Sequence, residues 1–322
     1  MTRASRLIWL SCGLLLAANA RSGESNPHQL LDRMNEAVRQ LDYEGRFVVQ
    51  VGDRMDAIYI VHRVDGGAEK ERVVSLTGKP REVIRSDEAV ACLTSGRART
   101  LNVGRGANGR SFSPLSGVTG EQLDRYYRMQ LLPPGRVAGR DAYQLLIEPR
   151  DDLRFGYRLF LDQASYLPLR SVMFDEAQKT ASQMMFVELR VDQQITPIER
   201  DISAMQVARA TPSDDIPEER LKPPAWEFAD LPPGFQLNVH RRRMLGENAG
   251  ELEHFIFSDG LATVSVYVQP TGDDGVGLPP SSRLGAAGAV SRVLADHEVI
   301  VVGEVPARTL NWFAQQIRAA SN

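Results

Sequence analysis

Apolar side chains recur at every second position through long stretches of this chain. Tyr143, Leu145 and Ile147 share one side of a segment, then Tyr157, Leu159 and Leu161, then Met185, Val187, Leu189 and Val191, with mostly polar or charged residues between them. A period of two sends successive side chains to opposite faces of a strand. Repeated this way, it predicts an antiparallel sheet with one apolar and one wet face. Upstream, Phe47, Val49 and Val51 share one face, and Arg46, Val48 and Gln50 the other. Met55 to Arg63 is more uniformly apolar, the pattern of a strand covered on both sides. Asp65-Gly66-Gly67 and Thr77-Gly78-Lys79-Pro80 are turn sequences between such strands.

Few helices interrupt this pattern. One is expected from about His28 to Leu41, capped by Asn26 and opened by Pro27, with Leu30, Leu31, Met34, Val38 and Leu41 on one face. Thr119 and Gln122 form a capping box. The short helix it starts would carry Leu123, Tyr126, Tyr127 and Leu131 into the interior of a curled sheet. The expected fold class is α+β: an antiparallel sheet that, curled round helices, would make a half-open barrel, followed by a smaller antiparallel sheet with a helix. A mature chain of about 300 residues exceeds what one core usually spans, so two domains are expected.

From about Ile195 to Trp226 the composition turns to proline and charge, as in Thr211-Pro212-Ser213-Asp214-Asp215-Ile216-Pro217, which is the composition of a stiff linker. The expected domains are residues 21–195 and 226–322, joined by 196–225. In the second, Phe235, Leu237 and Val239 alternate. Strands at Glu253–Phe257 and Ala262–Val268 are joined by Ser258-Asp259-Gly260, and a strand near Glu298–Val302 precedes a helix from Pro306 that buries Leu310, Phe313, Ala314 and Ile317.

The first twenty residues read as a secretory leader. Arg3 and Arg6 form a basic start, Leu7 to Leu16 an apolar core, and Ala18-Asn19-Ala20 a small-residue cleavage site. Cys12 sits too early in that core for a lipoprotein signal. Removing the leader takes away two arginines and no acid, so the formal charge of −3 becomes −5 (−3 − 2). A mildly acidic export product of this kind is not a general nucleic-acid binder. Cys92, the one cysteine left, lies in apolar Val90-Ala91-Cys92-Leu93 and reads as a small buried hydrophobe on a strand.

The sequence offers little catalytic chemistry. Gly104-Arg105-Gly106-Ala107-Asn108-Gly109 has the spacing of a dinucleotide loop, but Arg110-Ser111-Phe112-Ser113-Pro114 follows where a helix must start, so it reads as a flap between strands. His28, His62, His240, His254 and His297 lack the i, i+4 spacing that places two imidazoles on one metal. Asp273-Asp274 lacks the ligand ladder of a calcium loop. No catalytic residue, cofactor or metal is assigned.

Binding surfaces are better supported. Arg241, Arg242 and Arg243 concentrate positive charge on an acidic chain, suiting a carboxylate or phosphate, although a solvated strand end is the simpler reading. Trp312 falls away from the Leu310 and Phe313 stripe, as an interface anchor or as a side chain covered by the first domain. The aromatics Phe112, Tyr126, Tyr127, Phe155 and Tyr157 are mostly core, with one or two available to an apolar cavity. With Leu131 and Leu159 they supply the lipid-groove candidates Phe112, Tyr126, Tyr127, Leu131, Tyr157 and Leu159.

Two strings carry a family resemblance: His254-Phe-Ile-Phe-Ser-Asp-Gly-Leu-Ala-Thr-Val-Ser-Val-Tyr-Val-Gln-Pro270 and His297-Glu-Val-Ile-Val-Val-Gly-Glu-Val-Pro-Ala-Arg-Thr-Leu-Asn-Trp-Phe313. They resemble the RseB/MucB family of periplasmic sigma-factor regulators. The hairpin Gly156 to Arg170, with its Asp162 and Leu167-Pro168-Leu169 turn, is similar to that of the lipoprotein carriers LolA and LolB. The resemblance implies a non-enzymatic periplasmic protein whose partner is the periplasmic segment of a transmembrane anti-sigma factor. It would shield that segment from proteolysis until lipopolysaccharide or another lipid-like ligand occupied the carrier-like domain. A homo-oligomer is compatible with it. The alternative is a periplasmic lipid or lipoprotein carrier.

Overall fold

The computed structural model describes residues 26–86, 89–94, 97–102, 117–192, 194–198, 208–209, 224–245, 250–271, 281–284 and 286–320. The leader, the Gly104–Gly109 loop, Phe112, most of the proline-rich connection and Asp273-Asp274 lie outside the described residues.

The first domain runs α1 (Pro27–Gln40), β1 (Tyr43–Val51), β2 (Arg54–Asp65), β3 (Ala68–Ser75), β4 (Arg81–Ser86), β5 (Ala89–Thr94), β6 (Arg97–Asn102), α2 (Gly120–Asp124), β7 (Tyr127–Val137), β8 (Arg140–Pro149), β9 (Gly156–Asp162), β10 (Pro168–Phe174), β11 (Thr180–Val191) and β12 (Ala208–Arg209). Its strands form one twelve-stranded sheet in the order β12-β6-β5-β4-β3-β2-β1-β11-β10-β9-β8-β7. All pairings are antiparallel except that of β12 with β6. Among the described residues no pairing joins β7 to β12, so the barrel is not closed.

Helix α1 supplies the apolar face the sheet needs. The Asn26 side chain accepts a bond from the His28 amide at 3.0 Å, capping it as its sequence implies. Leu30, Leu31, Met34 and Val38 are buried against Tyr43, Phe47, Ile60, Leu145 and Ile147 of the sheet. Each side chain so enclosed contributes about 1.5–3 kcal/mol.

Four expectations need correction. The predicted helix through Leu131 ends at Asp124, because Tyr127 already pairs with Pro149 and Leu131 with Leu145 in the β7–β8 ladder. The alternation Met185, Val187, Leu189 breaks at a bulge: Arg46 pairs with Glu188 but Phe47 with Phe186, leaving Val187 54% exposed. Met184 and Phe186 are buried before the bulge, and Leu189 after it. In β2 only the second half is covered; Ile60, Val61 and His62 are buried while Met55 is 60% exposed. Cys92 does lie on a strand, β5, but is half-buried.

The second domain contains β13 (Trp226–Phe228), β14 (Gln236–Met244), β15 (Glu251–Ser258), β16 (Thr263–Pro270), β17 (Ser281–Leu284), β18 (Ala287–Leu294), β19 (His297–Gly303), α3 (Ala307–Gln316) and β20 (Ile317–Ala319). Its six-stranded sheet has the order β14-β15-β16-β19-β18-β17, and β13 pairs with β20 beside it. Phe255, Phe257, Val264, Val266, Val299 and Val301 are buried with Leu310, Phe313 and Ala314 of α3. Phe228 meets Phe255, Phe257 and Phe313 edge-on, a favoured aromatic geometry. Here too a bulge, between Leu237 and Val239, breaks the expected alternation: Leu237 lies opposite Phe257, 47% exposed on the edge strand, while Val239 lies opposite Ile256 on the other face.

Candidate functional site

The most highly built polar cluster joins the two domains. It starts in the β8–β9 loop, where the Asp151 carboxylate accepts the Leu153 amide at 3.1 Å and so folds Asp151-Asp152-Leu153-Arg154 into a tight turn. That turn drives Arg154 inward, and its side chain is wholly buried. Its guanidinium donates to Asp151 Oδ1 at 3.0 Å, Asp259 Oδ2 at 2.7 Å and the Pro233 carbonyl at 2.6 Å. The Tyr126 ring lies over it at 4.6 Å and the Phe235 ring at 5.4 Å.

The partner side is equally well satisfied. Asp259, in the β15–β16 turn, uses Oδ1 to accept the Leu261 and Ala262 amides at 2.9 and 2.7 Å, which fixes the turn. Its Oδ2 takes both Arg154 and the Tyr127 hydroxyl, the latter at 3.0 Å. Burial, and then the Asp259 charge, push the Tyr127 phenol well above its ordinary value, so it stays a donor. Gly234 (φ +90°) packs flat on Tyr126, where an added Cβ would sit 2.5 Å from the ring. Thr309 Oγ1 of α3 donates to the Leu153 carbonyl at 2.7 Å, and Arg308 forms an ion pair with Asp152 at the rim. Leu261 packs into the first domain's core. Chemically, this arrangement fixes one domain on the other.

Only part of this cluster is legible in the sequence. Its pattern marks Tyr126 and Tyr127 as groove candidates, and Asp259 only as a turn residue. Arg154 and Asp259 are 105 residues apart, and no local spacing signals their meeting. Beside the clamp lies a cavity of about 570 Å3 whose lining includes Arg128, Glu148, Arg150, Asp152, Asp175 and Glu176. Such charged walls do not suit an acyl chain.

The remaining groove candidates scatter. Tyr157 and Leu159 are buried in the first core, as is Tyr127, so a ligand reaches them only by displacing neighbours. Tyr126 and Leu131 are half-buried and pack against that core.

The arginine triplet is divided by the strand it occupies. Arg242 is buried, bonded to Glu253 at 3.0 Å and 3.7 Å from Glu251. Glu253 also meets His240 Nε2 at 2.8 Å and the Ala225 amide at 3.1 Å. Arg241 and Arg243 point the other way into solvent, and no carboxylate pairs with either among the described residues. Trp312 is half-buried on α3; its indole Nε1 is enclosed without an acceptor among the described residues. Among those residues, no group of three His, Cys, Asp or Glu could hold a metal ion, and no helix is long and apolar enough to cross a membrane.

Comparison with known proteins agrees with this two-domain layout. Residues 26–213 match the model of the MucB/RseB N-terminal domain, and residues 220–318 that of the MucB/RseB C-terminal domain. The chain is 32% identical over 317 residues to the sigma factor AlgU regulatory protein MucB of Pseudomonas aeruginosa, covering 96% of both chains. It is 28% identical over 311 residues to the sigma-E factor regulatory protein RseB of Haemophilus influenzae, again covering 96% of both. Among solved structures, MucB in the Pseudomonas aeruginosa MucA/MucB complex superposes with a TM-score of 0.72 at 29% identity, over 92% of this chain and 99% of that one. With both family domains matched in order along nearly its whole length, the chain belongs to the MucB/RseB family.

Proposed function

We propose that this chain is an exported, periplasmic negative regulator of an extracytoplasmic-stress sigma factor. It binds the periplasmic segment of a transmembrane anti-sigma factor and shields it from the proteolysis that would release the sigma factor. The observation that carries this reading is the match over nearly the whole chain, both domains included, to MucB as seen in its complex with MucA. The buried Arg154–Asp259 contact supports it, because a partner segment lying across both domains needs them held in one arrangement.

A lipid-like ligand relieves the shielding. The twelve-stranded sheet is not closed, and in this reading it curls as a half-open barrel whose half-buried rim at Leu131 offers the apolar entry, with Tyr126 freed for the ligand only if the clamp loosens. Such a ligand weakens partner binding only through unequal affinity for the free and bound forms. A coupling of about 2 kcal/mol would shift partner affinity roughly thirtyfold. Arg241, Arg243 and Trp312 are the candidate partner contacts.

Titration calorimetry of the mature chain with the purified periplasmic segment of the anti-sigma factor from the same organism, with and without lipopolysaccharide, tests both parts. Tight binding weakened by the lipid supports the whole reading, whereas binding unchanged by lipid removes the relief step. Absence of binding, combined with retention of an acylated ligand, would point to the lipid-carrier alternative.

A further inference from the structure

We propose that the edge of β14 that no described strand pairs with receives an extended acidic segment of a partner protein as a seventh strand of the second domain's sheet. This rests on the reading that the chain binds a segment of another protein, and adds where and through what chemistry.

β14 is a terminal strand of its sheet, so beyond its pairing with β15 no described residue satisfies its outward amides and carbonyls. From Val239 to Met244 it keeps an unbroken register with β15 and contains no proline. An edge of this kind is a template for another strand unless the chain blocks it, commonly with charge. Here the charge has one sign. Arg242 is neutralised on the inner face by Glu253 and Glu251, whereas Arg241 and Arg243 are exposed on the outer face, opposite His254 and Leu252. The His254 imidazole is kept from protonation by its burial and by Arg241, so it adds little charge to that face. Apolar surface brackets the arginines: Leu237, Met244 and Leu245 are 47%, 50% and 42% exposed.

These features select the occupant. A second copy pairing antiparallel along the same edge would set arginine against arginine, which repels. A strand with carboxylates at alternate positions, roughly 6.7 Å apart, would meet Arg241 and Arg243 together. Its main-chain bonds would give affinity, and its alternate side chains specificity.

The test uses the full mature chain and a capped ten-residue peptide alternating Glu with Val. Expected results are saturable binding by fluorescence anisotropy, slowed amide exchange confined to residues 239–244, and weakening by about tenfold or more in R241E/R243E. Alternate N-methylation of the peptide should abolish binding, and R241K/R243K should retain most of it. No binding, protection elsewhere, undiminished binding of the N-methylated peptide, or capture of anionic vesicles in place of the peptide would each overturn the proposal. If R241E/R243E bound the anti-sigma segment with unchanged affinity, this edge would be excluded while the regulator reading stood. Loss of segment binding by the unsubstituted chain would instead sink that reading.

Discussion

Arg154 and Asp259 meet at 2.7 Å across the domain junction with neither side chain exposed to solvent. Two charges taken out of water hold together only when every remaining polar group is also satisfied. That condition is met here by Asp151, Tyr127, the Pro233 carbonyl and two turn amides.

Removing one partner of this pair strands the other. Asp259→Ala should lower unfolding free energy by about 3–5 kcal/mol, read from urea titrations of the mature chain. Tyr127→Phe, which deletes a single hydrogen bond, should cost about 1 kcal/mol. Equal and small losses for both variants would show that the clamp carries no strain-bearing role.

A second buried carboxylate makes an acid-range prediction. Asp162 is enclosed, and although burial alone would raise its pKa, Arg140 at 2.8 and 2.9 Å and Ser165 together hold it below the ordinary value. A depressed carboxyl stabilises the fold above the unfolded value, about 3.9, and that contribution is lost as pH falls through the lower folded value. Asp162→Asn should flatten stability against pH below the unfolded carboxyl value of about 3.9 and cost about 2–3 kcal/mol near neutrality.

His254 acts in the same direction at higher pH. Burial, then Arg241, hold its imidazole below the ordinary histidine value. The unfolded chain therefore takes up a proton first, and stability falls as pH drops from about 6.5 toward the folded value. In Arg241→Glu the imidazole resonances should titrate at higher pH by NMR, and the associated loss of stability should shrink. An unchanged titration would separate the two residues electrostatically.

Gly156 tests packing at the mouth of the β8–β9 loop. A Cβ there would lie 2.2 Å from Phe174 Cζ, so Gly156→Ala should destabilise by about 1–3 kcal/mol. Melting curves that coincide with the unsubstituted chain would show that Phe174 yields freely.

Much of the architecture could be read from periodicity. Leu145, Ile147, Leu159 and Leu161 are buried as their alternation implies, and α1 is capped by Asn26 with the expected side inward. The errors fall where a residue is inserted into the ladder: at Val187 and at Leu237 a bulge shifts the phase, which a period-two pattern cannot register. β18 carries no clear period-two signal because Ala287-Gly288-Ala289 offers small side chains in place of a large alternating set. The binding region was less legible. Arg241, Arg242 and Arg243 stood out as a charge run, but only the strand direction separates the neutralised Arg242 from its two exposed neighbours. The clamp depends on residues distant in sequence, and tertiary packing alone brings them together.

The most direct measurement is limited proteolysis of the purified anti-sigma periplasmic segment by the site-specific protease that initiates its degradation, with and without the mature chain. The account predicts that a stoichiometric amount of the chain slows cleavage, and that lipopolysaccharide restores it. Cleavage at the same rate in the presence and absence of the chain would contradict it.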